Sequence, residues 1–245
     1  MKILLCNDDG IFSEGLLALA NLLKREYEVV VYAPSGNRSG FSRSVSFHKN
    51  IDVVPTKLVD GVEAYAVSGT PADCVKFAVT TNKYGIDLVI AGINNGPNLG
   101  SDVFYSGTVN ACFEANVENI PAIAFSNVAF KDYLFNENAV VIGKILKRLI
   151  SLTLPTHTLN VNLPNVTLSE VKGVKFCKTG VCKYSDGYIK TGENTYKLIG
   201  EPIPPNENDL GTDVYYSSKN YVTVTPVSHQ VTDEKVLSNF VDFEI

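Results

Sequence analysis

Short apolar runs closed by polar turns alternate with amphipathic stretches through the first two thirds of the chain. The first run, Ile3-Leu4-Leu5-Cys6, stops at Asn7-Asp8-Asp9-Gly10. An apolar run that ends in a polar, Gly-containing turn predicts a buried strand. After Ser13-Glu14-Gly15 a helix is expected, with Leu16, Leu19, Ala20 and Leu23 as its inner stripe and Lys24-Arg25 at its end. Glu28 to Ala33 reads as the second strand, so the opening segment predicts a parallel strand–helix–strand unit. Alternation at Val45, Phe47, Ile51 and Val53 suggests one or two further strands, and Ala64 to Val67 another. Thr70-Pro71-Ala72-Asp73 predicts a helix start, with Thr70 as N-cap, Pro71 at the first helical position and Asp73 as capping-box partner. The strongest buried strand is Ile86 to Ala91, followed by a Gly- and Asn-rich loop to Asp102. Helices are expected from Val109 to about Asn119 and, capped by Asn136, from Glu137 to Leu149. Strands are expected at Ile120–Phe125 and at Thr158–Pro164, the latter as the last of the main sheet.

The final third changes period. Residues 172–178 and 184–198 alternate polar and apolar positions, as hairpins do; 201–209 reads as loop, and Tyr221–Pro226 as a strand. The expected fold is α/β: a Rossmann-like, mostly parallel sheet with flanking helices, plus a C-terminal β-hairpin extension. Residues 1–170 form the core. Residues 171–245 form a β-rich extension and C-terminal segment for oligomerisation, not an independent domain. Exposed hairpins either pack on their own core or pair with a second copy.

Composition narrows the partners. The 245 residues are 45% hydrophobic and 19% charged, ample for a core, and the net charge is −5 with no basic block. Extended nucleic acid is therefore not an expected partner. An acidic protein that handles phosphate needs a metal or helix N-termini to offset the like charge. Five cysteines at irregular spacing make no disulfide framework, and most sit in apolar segments as small core residues. No apolar run reaches membrane-spanning length, and the short run before Cys6 is no signal peptide, so a cytoplasmic location is expected.

The candidate chemistry lies where strands end. In a parallel α/β sheet, ligands bind beyond the carboxyl ends of the strands, near the reversal of strand order. Asp8 and Asp9 follow the first strand, Ser39 the second, and Asn94 the strong strand; Ser106-Gly107-Thr108 opens the next helix. Two carboxylates, a hydroxyl and an amide form an all-oxygen set suited to Mg²⁺ or Mn²⁺. Both aspartates can face one ion only if the strand has already turned, which Gly10 permits. The three histidines, His48, His157 and His229, fall outside these loops, which disfavours zinc and a Ser-His-Asp triad. Ser106-Gly107-Thr108 reads both as an ordinary N-cap and as a phosphate cradle; Ser68-Gly69-Thr70 leans to capping. Asn37 and Asn98 could contact phosphate or stabilise turns, and Phe41 and Tyr105 could stack on a base or pack. The set as a whole points to metal-assisted phosphate hydrolysis. A signalling receiver domain shares the acidic pair, but its phosphoacceptor position here is Asn94, which cannot serve.

The residues then match a known pattern. Ile3-to-Gly10 (ILLCNDDG), Ala33-to-Gly40 (APSGNRSG), Ser68-to-Val75 (SGTPADCV), Ala91-to-Gly100 (AGINNGPNLG) and Tyr105-to-Val109 (YSGTV) recur in order. Asn160-to-Pro164 (NVNLP) and Gly211-Thr212-Asp213 before Val222-to-Pro226 (VTVTP) follow. This series resembles the SurE survival proteins, metal-dependent 5′/3′-nucleotidases. The resemblance implies one divalent metal ion per subunit, Mg²⁺ or Mn²⁺, held by Asp8, Asp9, Ser39 and Asn94. It implies phosphate contacts from Asn37, Asn98, Ser106, Gly107 and Thr108, and catalytic roles for Asp8, Asp9 and Asn98. Substrates would be nucleoside 5′- and 3′-monophosphates, with short polyphosphate, and the assembly a homodimer or homotetramer built through the hairpins and an exchanged tail. Asp9 would take a proton or orient the attacking water; direct attack by Asp8 is the mechanistic alternative. Cys6, Ala91 and the pair Glu114-Ala115 depart from the family pattern, with packing as the expected consequence.

Overall fold

The computed structural model describes residues 1–81 and 85–238. A nine-stranded sheet organises it, with strands in the order β3-β4-β2-β1-β5-β6-β7-β11-β8. Its centre is β1 (Lys2–Cys6), flanked in parallel by β2 (Glu28–Pro34) and β5 (Leu88–Asn95). Beyond β2 lie β4 (Glu63–Val67), parallel to it, and β3 (Val53–Pro55), antiparallel at the edge. Beyond β5 come β6 (Ala122–Asn127) and β7 (Thr158–Leu163), both parallel. The chain moves outward from β1 to β2 on one side and restarts at β5 on the other. Strand order therefore reverses between β1 and β5, and a crevice opens there at the carboxyl ends.

Alternate residues of β1 serve two cores. Ile3 and Leu5 pack with α1 (Glu14–Leu23) and α4 (Phe135–Ile150) on one face, while Leu4 and Cys6 pack with α2 (Pro71–Thr80) and α3 (Gly107–Val117) on the other. Both faces are covered, so β1 carries no polar alternation, as a central parallel strand requires. Each fully buried aliphatic side chain there contributes about 1.5–3 kcal/mol. All five cysteines are free thiols, four of them buried, which suits small core residues.

Several expectations are revised. No strand forms at Val45–Phe47. That segment belongs to a long loop pinned by side chains instead: Ser46 N–H donates to Asp73 at 3.0 Å, and the Thr70 hydroxyl to the Ser44 carbonyl at 2.6 Å. The capping box at Thr70 and Asp73 forms as expected. Helix α4 starts at Phe135, with Leu134 in the cap position and no side-chain cap, so Asn136 lies inside it. Tertiary bonds set that start: Leu134 N–H donates to Asn165 Oδ1 at 2.8 Å, and Asn138 Nδ2 to the Pro164 carbonyl at 3.1 Å.

Residues 158–164 are not the end of the sheet. β11 (Val222–Val227) adds antiparallel to β7, and β8 (Val174–Phe176) adds parallel to β11. The segment 172–178 thus contributes a three-residue parallel edge strand, β8, rather than half of a hairpin. Among the described residues the one separate hairpin is β9 (Gly187–Lys190) with β10 (Tyr196–Ile199), every residue of which is exposed. A short helix, α5 (Asp213–Ser217), packs on β11 and β7. Residues 239–245, on which part of the exchanged tail would fall, lie outside the described residues. Among the described residues no helix is long and apolar enough to cross a membrane.

Candidate active site

The crevice between β1 and β5 opens into a cleft of about 580 Å³. Asp8, Ser39, Asn94, Asn98, Tyr105 and Ser106 line it, joined by Asp102, Phe130, Tyr184, Asp186 and Leu198. The strands place the first group. Asp8 leaves the end of β1 and is 3% exposed. Gly10 turns the chain with φ of +108°, and Asn7 secures the turn by donating to the Gly10 carbonyl at 2.9 Å and to the Ser13 hydroxyl at 2.6 Å. Asn94 lies where the β5–β6 register shifts between Ala91 and Asn94. Such an irregularity re-aims a side chain at a strand end. The Asn94 amide donates to the Gly96 carbonyl at 2.9 Å, leaving its Oδ1 3.4 Å from the Thr108 hydroxyl.

Asp8, Asn94 and Thr108 converge. The Thr108 hydroxyl donates to Asp8 Oδ1, and the Gly107 and Thr108 backbone also stabilise that carboxylate. Burial nevertheless dominates and raises the Asp8 pKa. Asp9 is only partly buried, and its Oδ2 accepts from Asn95 N–H at 2.9 Å. Burial, and then the charge of Asp8, push its pKa up to about 7, against that one opposing bond. No ion pair to a basic side chain is recorded for either aspartate among the described residues.

The loop that carries Ser39 is tied to the site from both ends. Arg38 N–H donates to the Asp8 carbonyl at 2.7 Å, and Ser42 N–H to the Tyr105 carbonyl at 3.1 Å. Arg43 then pairs with the buried Glu114 of α3 at 2.9 Å, and Lys76 holds the other oxygen of Glu114 at 2.8 Å. These ties link Ser39 to the same helix whose N-terminus meets Asp8.

The residues singled out from the sequence do not all meet. Asp8, Ser39, Asn94, Asn98 and Ser106 share the cleft wall. Asp9 is not on that wall; it faces the Asn95 backbone beside it. Asn37 is exposed, and its side chain accepts from Ser39 N–H at 2.9 Å within its own loop. Gly107 and Thr108 turn toward Asp8 rather than toward the cleft, and Ser106 caps α3 by accepting from Val109 N–H at 3.0 Å. Of the two candidate stacking rings, Tyr105 lines the cleft, whereas Phe41 lies under the Arg38 guanidinium at 5.6 Å. Phe130, Tyr184, Asp186 and Leu198 were not legible as site residues. Their segments lack motif residues, and only the fold brings them over the crevice.

Two features decide what this cleft can do. Asp8, Asp102 and Asp186 line it, and among the described residues no Lys, Arg or His does. The donors at its floor are all oxygen: carboxylate, hydroxyl and amide. Among the described residues no group of three or more His, Cys, Asp or Glu side chains is placed to hold a metal ion. A soft or strongly chelated ion does not suit such a set. A hard divalent ion, with part of its shell supplied by water or ligand, does. A larger groove of about 840 Å³ between α1 and α4 is walled largely by Leu17, Ala18, Leu22, Tyr133 and Val140, and lacks such a convergence.

Comparison with known proteins identifies the family and the fold. The family model described as Survival protein SurE matches residues 3–186. A relative named 5′-nucleotidase SurE from Trichodesmium erythraeum is 41% identical, over 95% of this chain and 93% of its own. One of the same name from Alkaliphilus metalliredigens is 38% identical, over 96% and 95%. The crystal structure of the SurE protein from Aquifex aeolicus superposes with a TM-score of 0.83 at 36% identity, covering 97% of each chain.

Proposed function

The chain belongs to the Survival protein SurE family, and from that premise we propose that it is a divalent-metal-dependent nucleotidase. It hydrolyses nucleoside 5′- and 3′-monophosphates to nucleoside and phosphate, and also takes short polyphosphate. One observation carries the reading: a cleft lined by three aspartates and, among the described residues, by no Lys, Arg or His has a polar floor of hard oxygen donors. A phosphate dianion would be repelled from it unless a cation were bound. Asp8, Asp9, Ser39 and Asn94 are the residues that would hold one Mg²⁺ or Mn²⁺ per subunit. When bound, that ion supplies charge neutralisation for phosphate and acidity for a water.

The chain's own groups supply the rest. Asp8, fixed by Thr108 and the first turn of α3, keeps its carboxylate in one orientation. Asp9, whose Oδ2 accepts from Asn95 N–H beside the cleft, is the carboxylate that would take a proton from the attacking water or orient it. Asn98 and Ser106 face the cleft, where they offer hydrogen bonds to phosphoryl oxygens. Tyr105 and Phe130 present exposed rings on which a base can stack.

The test is phosphate release from AMP, GMP and their 3′ isomers, with Mg²⁺, Mn²⁺ or neither. Release is expected to fall at least about a hundredfold after chelation and to return with Mn²⁺ or Mg²⁺. Absence of release under every metal would leave binding without hydrolysis. Metal affinity carries its own pH signature. The raised pKa values of Asp8 and Asp9 mean that an ion must displace protons as pH falls. Apparent affinity is therefore expected to weaken by about tenfold per pH unit below 7. A pH-independent titration of Mn²⁺ between pH 5.5 and 8 would contradict it.

Association follows from the hairpin. Tyr188, Ile189, Tyr196, Leu198 and Ile199 are exposed on a two-stranded ribbon, which is at best marginally stable alone. Pairing with a second copy in a dimer or tetramer would cover them. Light scattering that finds only monomer at micromolar concentration would exclude this.

A further inference from the structure

Two motifs have so far no part in the site: Asn160-Val161-Asn162-Leu163-Pro164 on β7, and Gly211-Thr212-Asp213 leading into α5. Both converge on Asn98-Leu99-Gly100. Asn162 grips the Asn98 peptide groups at two points: its Oδ1 accepts from Asn98 N–H at 2.9 Å, and its Nδ2 donates to the Asn98 carbonyl at 3.1 Å. Asn160 Nδ2 donates to the same carbonyl at 2.7 Å. The Cys182 thiol donates to the Leu99 carbonyl at 3.1 Å. Gly100 N–H donates to Asp213 Oδ2 at 2.9 Å, while the other oxygen of Asp213 accepts from Gly180 at 2.8 Å and Val214 at 2.9 Å. The Asn98 side chain is itself directed by donation to the Ser126 hydroxyl at 2.8 Å.

These clamps are deep. Asn160, Asn162 and Asp213 are each 0% exposed. Asp213 is a buried carboxylate balanced by three backbone N–H groups, and no salt bridge to a basic side chain is recorded for it among the described residues. Buried polar groups gain little over well-packed apolar ones in net stability, but satisfied ones specify one arrangement; Asn162 and both oxygens of Asp213 are satisfied here, whereas Asn160 Oδ1 has no partner. Ordinary satisfaction of a loop backbone needs far less than this. The bonds also cluster on the residue whose side chain faces the cleft and on its two successors.

We propose that Asn162 and Asp213 are positioning residues that hold the Asn98 side chain at the phosphate of the bound nucleotide. The inference rests on the reading of Asn98 as a phosphate contact. It gives β7 and, through Asp213, the C-terminal third a role inside the site. Because Asp213 also grips Gly180, the segment that leads to β9 and the Asn98 loop hang from one carboxylate.

A double-mutant cycle on the full-length, metal-loaded enzyme tests it, with kcat, KM and melting temperature read for Asn98→Ala, Asn162→Ala and the pair. A displaced Asn98 is expected to cost about tenfold to a hundredfold in kcat. In the Asn98→Ala background, Asn162→Ala should change kcat by less than about twofold while still lowering the melting temperature, the pattern expected when one residue acts through another. Losses that multiply in full, or an Asn162→Ala enzyme with undiminished kcat, would overturn the proposal. An Asn98→Ala enzyme of full activity would remove the premise, and the inference with it. Should Asn162→Ala fail to fold, Asp213→Asn, which keeps the volume and one acceptor oxygen, runs the same cycle with the same criteria.

Discussion

Asp8→Asn will lower nucleotide hydrolysis by about 10³-fold, and both Asp8→Asn and Asp9→Asn will raise the melting temperature of the metal-free protein. The two effects share one cause. Each carboxylate is taken out of water, and the pair repel each other with no basic side chain between them. The folded chain without its ion therefore prefers them protonated. Asp9 moves from 3.8 to about 7, so its own contribution to the stability of the metal-free protein is full below pH 4 and is lost as pH rises through 7. Three pKa units would be about 4 kcal/mol if Asp9 were wholly shielded; its partial exposure brings the expected figure to about 1–2 kcal/mol. Asparagine keeps the shape and removes the charge. The gain should thus be present at pH 8 in chelator and vanish at pH 4. A bound cation favours the ionised pair, so added Mn²⁺ should stabilise the unaltered protein more than either variant. Calorimetry at the two pH values with and without Mn²⁺, beside a phosphate-release assay, measures both halves. Variants that stay active, or that melt with the unaltered protein at pH 8, would show that the pair is not a charged metal cradle.

How much of this was legible in the sequence depends on whether the signal was local. Ile3-to-Cys6 followed by two aspartates announces a buried strand ending in a charged turn, and the Thr70-Pro71-Asp73 cap is written in adjacent residues. Both form as read. The strand at Val45–Phe47 did not, because alternation in a short segment is also what a loop shows when side chains such as Asp73 and Glu114 pin it from afar. The sheet was read as ending at β7. Nothing local says that Val222–Val227, some sixty residues on, returns antiparallel beside it. The site divides in the same way. Asp8, Ser39, Asn94, Asn98 and Ser106 reach one cleft because each follows a strand on one edge. Gly107 and Thr108 carry a motif, yet the structure turns them to Asp8 rather than to open space. The residues from the hairpin segment, Tyr184, Asp186 and Leu198, reach the cleft only through long-range packing. The asparagines of β7 were visible as a motif without a role, since their partner is sixty residues upstream.

Gly107→Ala is the second large effect expected, and its logic is steric. A Cβ at position 107 would lie 2.7 Å from the Asp8 Cβ and 2.8 Å from Asp8 Oδ2, closer than nonbonded atoms tolerate. The Asp8 backbone has little room to retreat: it follows the paired Cys6 by two residues, and its carbonyl accepts from Arg38 N–H at 2.7 Å. Either the first turn of α3 lifts or the Asp8 carboxylate rotates away from Thr108; both break the Asp8–Thr108–Asn94 convergence. Gly107 is the first residue of α3 and has an ordinary helical backbone, so the strain is confined to the contact with Asp8 and the rest of the fold should tolerate the change. Activity should nonetheless fall by about a hundredfold, and Mn²⁺ affinity with it, since displacement of about 1 Å at a catalytic group costs that much. The same glycine read as a phosphate contact makes a different forecast: a raised KM with metal affinity untouched. Isothermal titration with Mn²⁺ alone, without nucleotide, separates the two. An unchanged metal titration would return Gly107 to the phosphate site and leave the packing against Asp8 without functional weight.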